Sequence, residues 1–109
     1  MAKVKCFFVE IYGPSKKLST EELYNMRMAQ AYRIMMDKDF ITLIKFSKGA
    51  FIMDEKVKKL QGRERIGTFV FQRLEQAENI HTFLDKWKIN HTYGPCEIKE
   101  KAIPENWEV

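Results

Sequence analysis

The stretch that decides the fold is VKCFFVEIYGP, residues 4–14, which indicates a long first strand. β-Branched and aromatic residues dominate it, and the breaker pair Gly13-Pro14 predicts that the strand ends at Tyr12. Side chains alternate between the two faces of a strand, so residues 7, 9 and 11 form a continuous apolar stretch on one face. The better candidate for the core is the face that carries Phe7, Val9 and Ile11.

Two amphipathic helices are predicted from the spacing of apolar residues. The first runs from about Thr20 to Asp37, with Ser19 as its N-cap and Glu22 completing a capping box. The second runs over about 75–88 and has apolar residues at positions i, i+3, i+4 and i+7. This second stripe consists of Ile80, Phe83, Leu84 and Trp87.

Further strands are predicted in the middle and at the end of the chain. Phe40–Phe46 is rich in β-branched and aromatic residues, which favours a strand, and the turn at 47–49 leads into a hairpin partner at 50–53. The apolar run in 66–73 indicates a central strand. A plausible last strand covers 96–99, after a break at Tyr93-Gly94-Pro95.

The order of these elements predicts the fold class. When one strand of the middle hairpin is left out, the order of elements is β-α-β-β-α-β. This order indicates an α+β, ferredoxin-like (split βαβ) sandwich. We expect an antiparallel sheet of four to five strands with two helices on one face. The first and last strands would be neighbours, which would bring Cys6 and Cys96 close together. Residues 1–103 are expected to form a single domain and 104–109 a C-terminal tail.

Composition excludes several classes of protein. Of the 109 residues, 45% are hydrophobic and 31% are charged, which is ordinary for a globular protein and too apolar for disorder. The apolar runs are too short to span a membrane, and no secretory signal is expected in the first residues. Two cysteines cannot form a dense disulfide framework. The expected location is therefore cytoplasmic, with no membrane partner.

Positive charge is concentrated in one segment. The net charge is +4, and Lys56–Arg65 alone holds five basic residues against Glu64. Basic side chains on a loop or hairpin arm can neutralise phosphates, which is the main term in sequence-independent nucleic-acid binding. A solvated loop that keeps the protein soluble is the alternative. The candidate nucleic-acid-binding residues are Lys56, Lys58, Lys59, Arg63 and Arg65.

The expected strand order is similar in layout to that of the RNA-recognition motif, which stacks bases on aromatic residues of its sheet. Its third-strand motif is matched here at Arg65, Phe69 and Val70, but three other positions depart from it. The likeness is one of layout, and it does not make the chain a member of that family. Phe8 and Phe69 are the candidates for stacking, while burial in the core is the alternative for Phe69.

Other residues favour a protein partner. Met26 and Met36 fall on the polar side of the first helix, and exposed methionine is adaptable at binding surfaces. Trp107 in the tail either folds back over the core or docks on a partner. A regulatory or inhibitory protein that binds another protein, alone or as a homodimer, is therefore the first alternative function.

Evidence for catalysis is weaker. Glu10 and Tyr12 share one face of the first strand and could perform acid–base chemistry in a cleft. His81 and His91 lack the orienting group and oxyanion donor that a Cys–His nucleophile needs, and the cysteines are best interpreted as inert buried thiols.

The spacing of His and Cys resembles no known zinc module, so neither a metal nor a cofactor is expected. A small dimeric ferredoxin-like enzyme is the second alternative function. The sequence does not decide whether the protein is an enzyme, and it favours a non-enzymatic role. The segregated positive charge slightly favours a non-enzymatic, nucleic-acid-associated binding protein.

Overall fold

The computed structural model describes residues 2–16, 20–52, 59–60 and 63–107. The strands are β1 (Lys3–Ser15), β2 (Ala50–Ile52), β3 (Lys59–Leu60), β4 (Arg63–Phe71) and β5 (His91–Lys99). The helices are α1 (Glu21–Met35), α2 (Lys38–Phe46) and α3 (Leu74–Lys86), and a 3-10 turn covers Glu100–Ala102. Within these ranges no helix is both long and apolar enough to cross a membrane.

The sheet has the strand order β2-β4-β1-β5, and the short β3 pairs with β4. All of these pairs are antiparallel. In the pairing of β1 with β4, Val9 lies opposite Phe69. In the pairing of β1 with β5, Cys6 lies opposite Cys96. The expected α+β class and antiparallel sheet are confirmed, as is the predicted proximity of the two cysteines.

One face of the sheet packs against all three helices, and this is where the main core lies. The predicted core face of β1 is confirmed, since Val9 and Ile11 are fully buried there. Phe40 from α2 contacts Phe69 from β4 edge to face, with ring centroids 5.7 Å apart. The helices contribute Ile34, Phe40, Ile44, Ala77, Ile80 and Leu84 to this cluster.

The opposite side of the sheet, the outer face, is covered in part by the C-terminal segment. Trp107 folds back onto Cys6 and Val70 and is only 4% exposed. Its indole N–H donates a hydrogen bond of 2.7 Å to the carbonyl oxygen of Lys48. The second of the two roles considered for Trp107, docking on a partner, would therefore require the tail to leave this position.

The predicted strand at Phe40–Phe46 is wrong, because this segment forms α2, a third α-helix within the described residues where two were expected. Asp37 caps the new helix, and its carboxylate accepts hydrogen bonds of 3.0 Å from the backbone N–H groups of Asp39 and Phe40. Phe40 and Ile44 are buried at a spacing of four residues. Helical periodicity therefore prevails over the β propensity of the individual residues.

The breaker motifs Gly13-Pro14 and Tyr93-Gly94-Pro95 do not interrupt the first and last strands as predicted. β1 continues to Ser15 through irregular pairing after Tyr12, and β5 begins at His91 and passes through Pro95. Proline is tolerated there because β5 is an edge strand and needs no second ladder. At α1 the cap is Thr20, whose hydroxyl accepts from the N–H of Leu23 at 3.2 Å, whereas the predicted cap Ser19 lies outside the described residues.

Candidate functional site

A buried ion pair lies on the outer face of the sheet. Glu10 is 6% exposed, and its Oε2 accepts a hydrogen bond of 3.0 Å from Nη1 of Arg65. The hydroxyl of Thr68 lies 3.4 Å from the same oxygen, and the hydroxyl of Tyr12 lies 3.5 Å from Oε1. The carboxylate predicted as an acid–base candidate is therefore held by three side chains from two strands.

A β-bulge brings Arg65 to this face. Gly67 lies opposite Ile11, but the next pair along the ladder joins Arg65 to Tyr12, so that Ile66 is an extra residue. Ile66 packs against the helical core instead of the outer face. Because one inserted residue reverses the alternation of side chains, Arg65 points to the same face as Glu10.

A depression of about 310 Å³ lies beside the ion pair. Most of its wall is apolar, while Glu10 of β1, Thr68 of β4 and Glu97 of β5 supply polar groups. Phe8 lies opposite Gly94, which leaves room for the phenyl ring across β5. The lining residues are Phe8, Glu10, Ile52, Thr68, Val70, Cys96, Glu97 and Ile98.

Cys96 lines this depression and lies against the buried Cys6. Their Sγ atoms are 3.0 Å apart, and both are free thiols. Burial, together with the hydrogen bond to Cys96 and electrostatic interactions with Cys96 and Glu97, raises the pKa of Cys6 to about 12. Cys6 is therefore protonated at neutral pH and is a poor nucleophile, as expected of an inert thiol.

A second group of polar side chains lies between α3 and β5. Nδ1 of His81 is 2.7 Å from Nε2 of His91, and the ring of Tyr93 stacks on that of His81 at a centroid distance of 4.3 Å. Asp85 lies one turn after His81 on α3. The spacing of His81 and Asp85 is visible in the sequence, but the convergence with His91 depends on the packing of α3 against β5.

The predicted nucleic-acid-binding residues do not form one group in the structure. Lys56 and Lys58 lie outside the described residues, and Lys59 occupies β3 opposite Glu64. Arg63 lies opposite Ser15 of β1, at the same end of the sheet. Arg65 is paired with Glu10 and its side chain is largely buried, so it does not extend to solvent.

The remaining candidates differ in exposure. Phe8 is partly exposed on the outer face, whereas Phe69 is 7% exposed and lies in the helical core, where it cannot present a ring to a base. Met26 and Met36 are 61% and 75% exposed. They retain the accessibility that a protein-binding surface requires, and their role stays a prediction.

Comparisons with protein-family models, curated proteins and solved structures find no match for this chain. Its function must therefore be inferred from the geometry of the sheet face and of the polar clusters.

Proposed function

We propose that this protein binds a small, largely apolar molecule in the depression on the outer face of the sheet. The observation that carries the proposal is the buried carboxylate of Glu10 in a wall that is mostly apolar. Burial of two charges costs several kcal/mol per ion in desolvation, and apolar residues of similar volume would often be as stable or more stable. A concave apolar site with a few convergent polar groups is typical of ligand binding.

The lining of the site defines the class of ligand. A volume of about 310 Å³ is at the lower end of the range for small-molecule sites, ~300–1,000 Å³. Phe8, Ile52 and Ile98 suit a single ring or a short aliphatic body. An ionised carboxylate only accepts hydrogen bonds, so Glu10 favours a ligand that donates one. A monocyclic phenol or aniline has both properties.

The first experiment compares phenol with anisole, which has a similar ring but no O–H donor. We expect phenol to shift the amide resonances of Phe8, Thr68 and Ile98 in two-dimensional NMR spectra, with a Kd of about 1 mM for so small a probe. Anisole should bind more weakly, because it leaves the carboxylate without an added donor. Absence of phenol-dependent shifts on the outer face at 10-fold that concentration would contradict the proposal.

Two variants locate the binding. Ile98→Trp places a large side chain in the depression and should abolish the phenol-dependent shifts. Ile41→Trp makes the same change on the exposed side of α2, where it should leave them intact. Equal binding by both variants would place the phenol elsewhere.

We also propose that the topology is the ferredoxin-like, split βαβ arrangement, with α2 as an addition. In support, β2 and β4 are antiparallel neighbours, α3 connects β4 to β5, and β1 lies between those two strands. Nuclear Overhauser contacts between Cys6 and Cys96, and between Phe8 and Val70, test this register.

Nucleic-acid binding is the second candidate function, favoured by the pairing of β3 with β4. This pairing joins the basic segment to the edge of the sheet at Lys59 and Arg63. The test changes Lys56, Lys58, Lys59 and Arg63 to Ala but retains Arg65, because Arg65 pairs with Glu10. A control variant loses the same number of positive charges at exposed sites elsewhere, namely Lys38, Lys45, Lys86 and Lys101.

Fluorescence anisotropy with labelled single-stranded RNA, single-stranded DNA and duplex DNA measures the effect at low and at physiological salt. If the basic segment binds phosphates, the first variant loses more affinity and more salt dependence than the control. Equal losses would indicate a general charge effect, and no binding by the unmodified protein at low salt would exclude this function.

A further inference from the structure

One group of side chains, His81 with Asp85 and His91, has the composition and spacing of a metal site. His81 and Asp85 lie on one side of α3 at positions i and i+4, and His91 is the first residue of β5. One potential ligand atom from each residue lies within 4.8 Å of the other two. Both histidines are half-buried and Asp85 is exposed, so the cluster has a rigid base and an opening to solvent.

Hydrogen bonds fix the tautomer of His91. Its Nδ1 lies 2.7 Å from the backbone carbonyl oxygen of Ile89. A carbonyl can only accept, so Nδ1 carries the hydrogen and Nε2 of the neutral ring has a free lone pair. That lone pair points at His81. A backbone carbonyl that holds the far nitrogen of an imidazole is a recurrent support for metal-ligating histidine.

The ring of His81 is also held in place. Tyr93 stacks on it at an interplanar angle of 27°, and its Nδ1 is 2.7 Å from Nε2 of His91. Without a metal, His81 must donate its Nδ1 hydrogen to His91. Transfer of that hydrogen to Nε2 of the same ring gives a second lone pair that faces the first, with no net loss of a proton.

We propose that His81, Asp85 and His91 bind one divalent transition-metal ion, with Zn²⁺ as the reference ion. Imidazole and carboxylate ligands suit Zn²⁺, and a set of three leaves one tetrahedral position for water. Metal–nitrogen bonds of about 2.0–2.1 Å hold two nitrogens about 3.4 Å apart at a tetrahedral angle. The two rings therefore need to separate by only about 0.7 Å, starting from the observed 2.7 Å.

This metal site is distinct from the ligand site proposed above. His91 and Tyr93 lie on the side of β5 that faces α3, whereas Cys96 and Ile98 lie on the outer face. The two cysteines do not join the histidines in the metal-ligand group found among the described residues. Failure of either proposal would leave the other unaffected.

The test titrates untagged protein with Zn²⁺ by calorimetry and with Co²⁺ by visible absorption. We expect one Zn²⁺ per chain and the d–d bands of a tetrahedral Co²⁺ complex. Substitution of either histidine, H81Q or H91Q, should weaken Zn²⁺ binding by at least about 100-fold, and D85N by about 10-fold. The matched control E78Q removes an exposed carboxylate from the same helix and should bind as the unmodified protein does.

Circular dichroism of each variant shows whether it is folded. A metal-dependent rise in Tm that is present in E78Q and absent in H91Q supports the site independently of calorimetry. The proposal is wrong if unmodified protein binds no more Zn²⁺ than H91Q does, or if D85N and E78Q bind equally well. It is also wrong if NMR shows that added Zn²⁺ leaves the ring resonances of both histidines unchanged.

Discussion

The buried pair of Glu10 and Arg65 makes a prediction that separates a stability role from a binding role. Their side chains are 8% and 10% exposed, and the two charged groups are 3.0 Å apart. Arg65→Met keeps most of the side-chain length but removes the positive charge and the donor that lies 3.0 Å from Oε2 of Glu10. Loss of one partner from a buried pair costs about 3–5 kcal/mol.

The double variant Glu10→Leu/Arg65→Met should behave differently. It replaces both charges by apolar groups in a wall that already contains Phe8 and Ile98. Replacement of a complete buried pair is often neutral or stabilising. We therefore expect its free energy of unfolding to lie within about 1 kcal/mol of that of the unmodified protein. Phenol binding should nevertheless be lost, since the acceptor is gone.

Urea denaturation followed by circular dichroism measures these free energies. Arg33→Met, at an exposed position of α1, is the matched control and should change stability by no more than about 0.5 kcal/mol. The reasoning is refuted if Arg65→Met costs less than about 1 kcal/mol, or if the double variant is as unstable as the single one. Either result would mean that the carboxylate is better solvated than its burial indicates.

Three further predictions concern the remainder of the fold. Trp107→Ala should cost about 3–5 kcal/mol in urea denaturation, because it empties a buried position on the outer face. Asp37→Ala should cost about 1 kcal/mol in thermal unfolding by removing the cap of α2, whereas Asp37→Asn should cost less. Because folding raises the pKa of Cys6 from 9.0 to about 12, stability should be unaffected by this group below pH 9 and should fall as the pH rises from 9 towards 12. Cys6→Ser should flatten that fall, and an equally steep fall in this variant would exclude Cys6 as its cause.

Much of the fold follows from local sequence signals. Strand β1 and helix α3 were predicted within a few residues because their apolar residues repeat at the periods of a strand and a helix. Helix α2 was missed, since Ile41, Thr42 and Ile44 favour a strand by composition. Its deciding feature is the cap at Asp37, which also lies at the predicted end of the first helix.

The candidate sites were less predictable, because they depend on register. Glu10 was singled out, but nothing local to Arg65 shows that a bulge at Ile66 turns its side chain towards Glu10. Because Arg65 follows several basic residues in the sequence, it is instead predicted to belong to the basic segment Lys56–Arg65. Likewise, His91 lies outside the predicted last strand at 96–99, because the break at Gly94-Pro95 indicates that the strand begins later than it does.

Strand β5 contributes residues to both proposed sites, so both sites depend on the pairing of β5 with β1. Its odd-numbered residues His91 and Tyr93 belong to the side that faces α3, while Cys96 and Ile98 belong to the outer face. Since side chains alternate with a period of two, a slip of one residue against β1 would exchange the two sets and destroy both sites. The direct pairing of Cys6 with Cys96 fixes that register at the point where the two sets meet.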